Sequence, residues 1–180
     1  MESLIKIGVV YGSARPGRFC DTVARWTARQ ITARGNFAVE TIDPAASDNG
    51  QSLKQQIAAC DAFIVVTPEY NHGYPAPLKA LIDSIGQEWH AKPVAFVSYG
   101  GISGGLRAVE QLRLVFAELH AVTIRDSVSF AGAWEQFDPS GALRNPERAE
   151  RSMEAMLRRV HWWAIALAHA RGIWPYAQSA

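Results

Sequence analysis

Short apolar runs alternate along this chain with longer stretches of helical period, and this alternation constrains the fold more than any other feature. The run over residues 5–11 is apolar over most of its length, as a parallel strand buried on both faces requires. Similar runs cover residues 37–42, 62–67, 93–98 and 122–130. Strands that alternate with helices predict a three-layer α/β sandwich of the doubly wound kind, built on a five-stranded parallel sheet.

Five helical segments are predicted between and after these strands. Apolar spacing and flanking residues indicate helices over about 17–35, over 52–60, over about 77–89, along the stripe from Leu106 to Leu119, and after Asn145. Residues 45–50 are predicted to form a loop. Asn145, Pro146 and Glu147 predict a cap, a first-turn proline and a first-turn acid for the final helix, which Gly172 and Pro175 should end.

Charge and cysteine content exclude several functional classes. The 18 basic and 17 acidic residues leave a net charge of +1, which excludes a strongly basic nucleic-acid binder. Cys20 and Cys60 are far apart and match neither a zinc motif nor a disulfide framework, so we expect free thiols in the reducing cytoplasm. The short apolar runs predict neither a membrane span nor a targeting segment. The length predicts one domain over residues 1–180.

The first strand ends in a loop that has the groups needed to bind an anion. Residues 12–18 read GSARPGR and precede a helix, so a serine hydroxyl, arginines and main-chain N–H groups converge there. A nucleoside-triphosphatase P-loop is excluded because Arg18 and Phe19 replace Lys and Ser or Thr, and a G-x-G-x-x-G fingerprint is absent. The alternative is that Gly12 and Gly17 are ordinary turn glycines beside solvated arginines.

Two further strand ends carry loops of unusual composition. Residues 68–75 read PEYNHGYP, which presents aromatic and polar groups between prolines. Residues 98–105 read SYGGISGG, where glycines let the main chain approach a ligand closely. Because the carboxyl ends of parallel strands share one edge, the three loops predict a crevice for a ligand with a phosphate tail and a planar head. A non-flavin nucleotide or a sugar phosphate would also suit such a crevice.

Three strings together resemble the NADPH-dependent FMN reductases of flavodoxin-like fold, a family that includes quinone, azo-dye and chromate reductases. They are GSARPGR, PEYNHGYPAPLKALID and PVAFVSYGGISGGLRAVEQLR. The resemblance implies a flavodoxin-like αβα sandwich with strand order 2-1-3-4-5. It also implies a set of FMN-binding residues in three loops, namely Ser13, Arg15, Gly17 and Arg18 for the phosphate, Pro68, Glu69, Tyr70 and Asn71 beside the isoalloxazine, and Ser98, Tyr99, Gly100 and Gly101 over its pyrimidine side or ribityl chain.

By the same resemblance the protein is an NAD(P)H-dependent oxidoreductase. Hydride passes from NADPH or NADH through bound FMN to a small acceptor, which is a quinone, an azo compound, chromate or free flavin. No catalytic side chain and no metal are required, since the flavin supplies the chemistry. The resemblance further implies a homodimer or homotetramer, while the near-neutral charge and the short apolar runs predict no nucleic-acid or membrane partner. A flavodoxin-like electron carrier is the alternative, and the +1 charge argues against it because flavodoxins are strongly acidic.

Several other residues have a structural interpretation beside a functional one. His72 is either a proton donor to a quinone or a surface residue. Tyr70 and Tyr99 either stack on the ligand or fill the rim of the pocket. Asp83 is expected to make a structural hydrogen bond or a subunit contact, and Trp162 and Trp163 to pack. Many relatives carry a longer segment after the second strand, so the resemblance predicts neither the substrate mouth nor the subunit contact.

Overall fold

All five strands form one parallel sheet. The computed structural model describes residues 4–46 and 50–178. The strand order is β2-β1-β3-β4-β5, which confirms the predicted topology. The strands are β1 (Ile5–Tyr11), β2 (Phe37–Ile42), β3 (Ala62–Pro68), β4 (Pro93–Gly100) and β5 (Val122–Ala131). The helices are α1 (Cys20–Thr32), α2 (Gly50–Ala58), α3 (Ala76–Asp83), α4 (Leu106–Glu118), α5 (Ala133–Gln136) and α6 (Glu147–Ile173).

The two central strands explain the long apolar runs of the sequence. Every residue of β3 and β4 is buried, because helices cover both faces of the sheet. One face packs against α1 and α6 in a core that includes Val23, Val97 and Met156. The opposite face packs against α2, α3 and α4 in a second core. The middle of the sheet is therefore rigid, and its strand ends hold the connecting loops in fixed positions.

Two predicted helices are shorter than their apolar patterns suggested. The first begins at Cys20 instead of near Gly17, because Gly17 adopts a left-handed backbone with φ of +64°. The third ends at Asp83 instead of Trp89, and a 3₁₀ turn follows over residues 87–89. The turn places the Trp89 ring in the second core, with its centre 4.6 Å from that of Phe63. Tertiary packing thus replaces the last turn that local periodicity predicted.

The C-terminal third departs most from prediction. Helix α5 was not predicted. The final helix runs to Ile173 through Gly172, and no side chain caps its first turn, so the predicted Asn145 cap is wrong. Trp162 is 61% exposed and does not pack in the core, whereas Trp163 packs against the first core.

Part of the predicted 45–50 loop, residues 47–49, lies outside the described residues. None of the described helices is long and apolar enough to cross a membrane.

Two leucines on α4 give a matched test of the second core. Leu112 is fully buried, whereas Leu114 is 75% exposed on the same helix. Leu112→Ala should lower the free energy of unfolding by about 2–5 kcal/mol, because it removes buried methyl groups and leaves a cavity. Leu114→Ala should change it by no more than about 0.5 kcal/mol. Urea denaturation followed by circular dichroism measures both, and equal effects of the two substitutions would contradict the described packing.

Candidate functional site

The loops after β1, β3 and β4 meet at one edge of the sheet, and β1 and β3 lie close together where they leave it. The main-chain N–H of Gly12 donates to Val66 O over 2.7 Å. A Cβ on Gly12 would lie 2.7 Å from both Val66 O and Thr67 Cα, so only glycine fits there. This approach brings Ser13, the next residue, beside the loop that leaves β3.

The loop after β1, residues 12–18, has a polar interior. Ser13 is fully buried, and its Oγ lies 2.9 Å from the hydroxyl oxygen of Tyr70. The Arg15 guanidinium lies over the Tyr70 ring, 3.7 Å from the ring centre. Within residues 4–46 and 50–178, the main-chain N–H groups of Ala14, Gly17 and Arg18 have no acceptor. The loop therefore combines a buried hydroxyl, an exposed cation and main-chain donors, which is a donor set suited to a phosphate.

Arg18 lies on the inner side of this loop and holds it in place. Its Nε donates to Asp21 over 2.8 Å, and its two terminal nitrogens form a paired contact with Asp43 at the end of β2. One of these nitrogens also donates to the carbonyl oxygen of Ser13. Hydrogen bonding from Arg18 to Asp43 raises the pKa of Arg18 well above its ordinary value. A contact from Arg18 to phosphate stays a prediction, and it would have to compete with these carboxylates.

The loop after β3 turns sharply at residues 70–73. Tyr70 N–H donates to Gly73 O over 2.9 Å and Gly73 N–H returns to Tyr70 O over 3.1 Å. Asn71 and His72 between them have φ of 51° and 67°, as in a type I′ turn. Glu69 N–H donates to Tyr99 O, so the Asn71 N–H is the only main-chain donor of residues 69–71 without an acceptor among the described residues. If a main-chain N–H of residues 69–71 contacts a ligand, the Asn71 N–H is therefore the candidate.

Glu69 joins the loop after β3 to the loop after β4. Its side chain is 7% exposed and accepts from Ser103 Oγ at 2.7 Å, from Arg107 N at 3.1 Å and from Arg107 Nη1 at 2.6 Å. Burial alone would raise the pKa of Glu69, but these hydrogen bonds outweigh it and the pKa lies below its ordinary value. Glu69 is thus an ionised anchor for the glycine loop, residues 101–105.

The predicted residues at the end of β4 lie mostly beneath the crevice. Ser98 is fully buried and donates to Gly104 O over 2.8 Å, so its side chain supports the glycine loop. Tyr99 is 3% exposed, and its ring lies in the core 5.8 Å from that of Phe19, not at the rim of the pocket. Burial raises the pKa of the Tyr99 hydroxyl. Pro68 ends β3 opposite Tyr99, and Gly100 is the last residue of β4.

The exposed part of the third loop begins at Gly101. Gly101 has open space where a Cβ would stand, and Ile102 beside it is 95% exposed. The main-chain N–H of Gly132 donates to Gly101 O over 3.0 Å, which ties the end of β5 to this loop. Main-chain contact by Gly100 or Gly101 with a ligand stays a prediction.

Trp134 is a residue at this edge that the sequence reasoning missed. It lies in α5 directly after β5, is 59% exposed, and its ring centre is 6.2 Å from that of Phe19. The sequence signal that could have found it is a tryptophan in the glycine-rich segment after the last strand. It was missed because α5, the helix that places it near the other loops, was not predicted.

The remaining candidates have structural contacts. His72 is exposed, and its carbonyl oxygen accepts from Gln111 over 2.9 Å. Asp83 pairs with Lys79 at 2.5 Å on the surface of α3, a structural contact of the kind expected. Over the described ranges, no cluster of three or more His, Cys, Asp or Glu side chains could hold a metal ion.

Comparison with known sequences identifies a family. Residues 5–135 match the family described as NADPH-dependent FMN reductase. The chain is 37% identical over 120 residues to an NAD(P)H-dependent FMN reductase of Schizosaccharomyces pombe. This alignment covers 56% of this chain and 60% of that protein. It is 30% identical over 182 residues to a quinone reductase of Pseudomonas putida, which covers 91% of this chain and 96% of the relative.

Solved structures share the fold. The flavoenzyme NAD(P)H:(acceptor) oxidoreductase FerB from Paracoccus denitrificans superposes with a TM-score of 0.71 at 20% identity, covering 89% of this chain and 97% of that one. The apo form of an NADH:FMN oxidoreductase gives 0.67 at 16% identity, covering 90% and 89%. These similarities confirm the flavodoxin-like sandwich.

The Arg18–Asp43 pair predicts a pH-dependent contribution to stability. Burial alone would raise the pKa of Asp43, but hydrogen bonds from Arg18 and Ala45 N–H and the Arg18 charge lower it overall. Asp43→Asn should therefore be less stable than wild type at pH 7. Because the native pKa is lowered, the difference should shrink as the pH falls below about 4, the ordinary Asp value, towards the native pKa.

Urea unfolding of wild type and Asp43→Asn at pH 7, 5, 4 and 3 measures this difference. Asp83→Asn, which alters an exposed pair, is the control and should change the free energy of unfolding by about 0.5 kcal/mol or less at pH 7. A wild-type advantage over Asp43→Asn that stays constant down to pH 3 would contradict the proposed ionic contact.

Proposed function

This chain belongs to the NADPH-dependent FMN reductase family of oxidoreductases, and from that premise we propose that it passes hydride from NADPH or NADH through bound FMN to a small acceptor. The observation that carries the proposal is the meeting of three loops at one sheet edge, where Ser13 and Arg15 contact Tyr70 and Glu69 holds the glycine loop. Residues 1–180 act in this proposal as one FMN-binding domain.

The donor set of the first loop fits a phosphate monoester. A dianion needs several donors directed at its oxygens, and the loop offers the Ser13 hydroxyl, the Arg15 guanidinium and the N–H groups of Ala14 and Gly17. No carboxylate of the described residues pairs with Arg15, whereas Arg18 is paired with two. Arg15 is therefore the side-chain cation that we assign to the FMN phosphate.

The other two loops fit a planar ring with polar edges. The Asn71 N–H and the main chain at Gly101 offer donors on two different loops, and the open space at Gly101 admits a close ligand. Pro68 and Glu69 fix the backbone between them. Bound FMN supplies the acceptance and donation of hydride. The main chain at Asn71 and Gly101 would orient the ring and would stabilise negative charge on it as fixed dipoles.

Quinones are the acceptors that the comparisons favour. A relative that matches 91% of this chain is named a quinone reductase, and the exposed apolar side chain of Ile102 at the crevice suits a flat apolar substrate. Azo compounds, chromate and free flavin are the other acceptors in this proposal. The two cysteines are free and buried, which accords with a cytoplasmic enzyme.

A homodimer or homotetramer is also part of the proposal. Ile102 in the glycine loop is 95% exposed, and Leu106, the first residue of α4, is 49% exposed. An apolar surface beside the crevice favours a second subunit there. The alternative function is an electron carrier like flavodoxin, and the net charge of +1 argues against it.

Purified protein should be yellow or become so on addition of FMN, and anaerobic NADPH should bleach the visible flavin band. With a quinone present, NADPH or NADH oxidation should be continuous and catalytic. Absorbance spectra and a steady-state assay measure both. Protein that binds FMN but shows no turnover with either nucleotide would favour the electron carrier, and protein that never binds FMN would exclude both functions.

Arg15→Ala should weaken FMN binding by about 10- to 150-fold, the effect of losing one charge-assisted hydrogen bond of about 1.5–3 kcal/mol. Quenching of flavin fluorescence measures the dissociation constant. Arg25→Ala removes an exposed guanidinium on α1 and is the matched control, expected to leave the affinity unchanged. Equal affinities of Arg15→Ala and wild type would exclude Arg15 from the phosphate site.

A further inference from the structure

We propose that Tyr70, from the loop after β3, is a positioning residue for the phosphate site in the loop after β1. The proposal rests on the proposed function, since it concerns how FMN is held. The resemblance assigned Tyr70 only to the isoalloxazine. Its side chain, however, contacts two side chains of the loop after β1, Ser13 and Arg15.

The hydrogen-bonding capacity of Ser13 shows what the Tyr70 hydroxyl does. A serine hydroxyl has one donor and two acceptor sites. Arg15 N–H donates to Ser13 Oγ at 3.4 Å, and the Tyr70 hydroxyl at 2.9 Å occupies the second acceptor site when it donates. The single Ser13 proton is then left for a phosphate oxygen. Either hydroxyl could donate in this pair, and the proposal assigns the donor role to Tyr70, which then fixes the direction in which the buried Ser13 hydroxyl donates.

The ring of Tyr70 acts on Arg15 in a second way. The guanidinium lies 3.7 Å from the ring centre, within the range of a cation–π contact. Arg15 is exposed and forms no ion pair with any carboxylate of the described residues, so the ring is the group that restrains it. Holding the arginine beside the loop reduces the side-chain entropy that it loses when it binds an anion. One face of Tyr70 is therefore covered by Arg15 and is not free for the flavin.

As a consequence, Tyr70 in the loop after β3 contributes to the affinity of the protein for the phosphate end of the cofactor. Tyr70→Phe keeps the ring over Arg15 and removes only the hydroxyl. It should weaken FMN binding by about threefold to tenfold, the effect of one neutral hydrogen bond. Riboflavin lacks the phosphate. Its affinity for Tyr70→Phe should stay within about twofold of its affinity for wild type, because the contacts to the isoalloxazine and the ribityl chain are the same in the two proteins.

The experiment titrates FMN and riboflavin into wild type, Tyr70→Phe, Ser13→Ala and the double variant, all stripped of flavin, with fluorescence quenching as the readout. If Tyr70 acts through Ser13, Tyr70→Phe should have no further effect on FMN affinity in the Ser13→Ala background. Tyr74→Phe makes the same chemical change in the same loop and is the control, because Tyr74 makes no hydrogen bond to the phosphate loop within the described chain. Thermal unfolding checks that every variant is folded.

Selective loss of FMN affinity together with a non-additive double variant supports the positioning role. Equal losses for FMN and riboflavin, full additivity, or no loss at all would each overturn it. If wild type binds FMN and reduces a quinone while Tyr70→Phe does the same with unchanged constants, the proposed function stands and only the positioning role fails. Wild-type protein that binds no FMN overturns both.

Discussion

The close approach of β1 to β3 at Gly12 sets the geometry on which the crevice depends. Two parallel strands leave the sheet side by side there, with 2.7 Å between Gly12 N and Val66 O. Because both strands are buried in a sheet covered on two faces, their ends cannot shift independently. Ser13 and Tyr70, far apart in sequence, are consequently brought within hydrogen-bonding distance. Any ligand that bridges the two loops must therefore contact side chains that already contact each other.

Around this edge, the ion pairs of the described residues engage Arg18 and Arg107 and leave Arg15 available. Asp21 and Asp43 engage Arg18, and Glu69 engages Arg107. The Arg18 pairs fasten the loop after β1 to the end of β2, and the Glu69–Arg107 pair fastens the loop after β3 to the start of α4. Arg15 has no carboxylate partner in the described part of the chain and is held only by an aromatic face. A nearly neutral protein can therefore present a localised positive site without attracting polyanions in general.

The sequence predicted the structure well where a residue pattern reflects burial. It predicted the structure much less well where tertiary contacts determine the local conformation. Strand bounds agreed to within two residues because β3 and β4 must be apolar on both faces. The third helix was predicted too long, since Trp89 continues its apolar period but turns into the core. At the site, the loops were evident from composition, but the roles of Arg18 and Ser98 were not. Their partners, Asp43 and Gly104, are fixed by strand order and loop path, which no local pattern encodes.

The central claim is that the loops after β1, β3 and β4 form one FMN site whose phosphate end is built by Ser13 and Arg15. A crystal structure of the protein with FMN tests it most directly. The account predicts a phosphate oxygen within about 2.5–3.0 Å of Ser13 Oγ, with Arg15 in contact with the phosphate and the isoalloxazine between Asn71 and Gly101. Flavin bound elsewhere on the protein, or with its phosphate turned away from the Gly12–Arg18 loop, would contradict it.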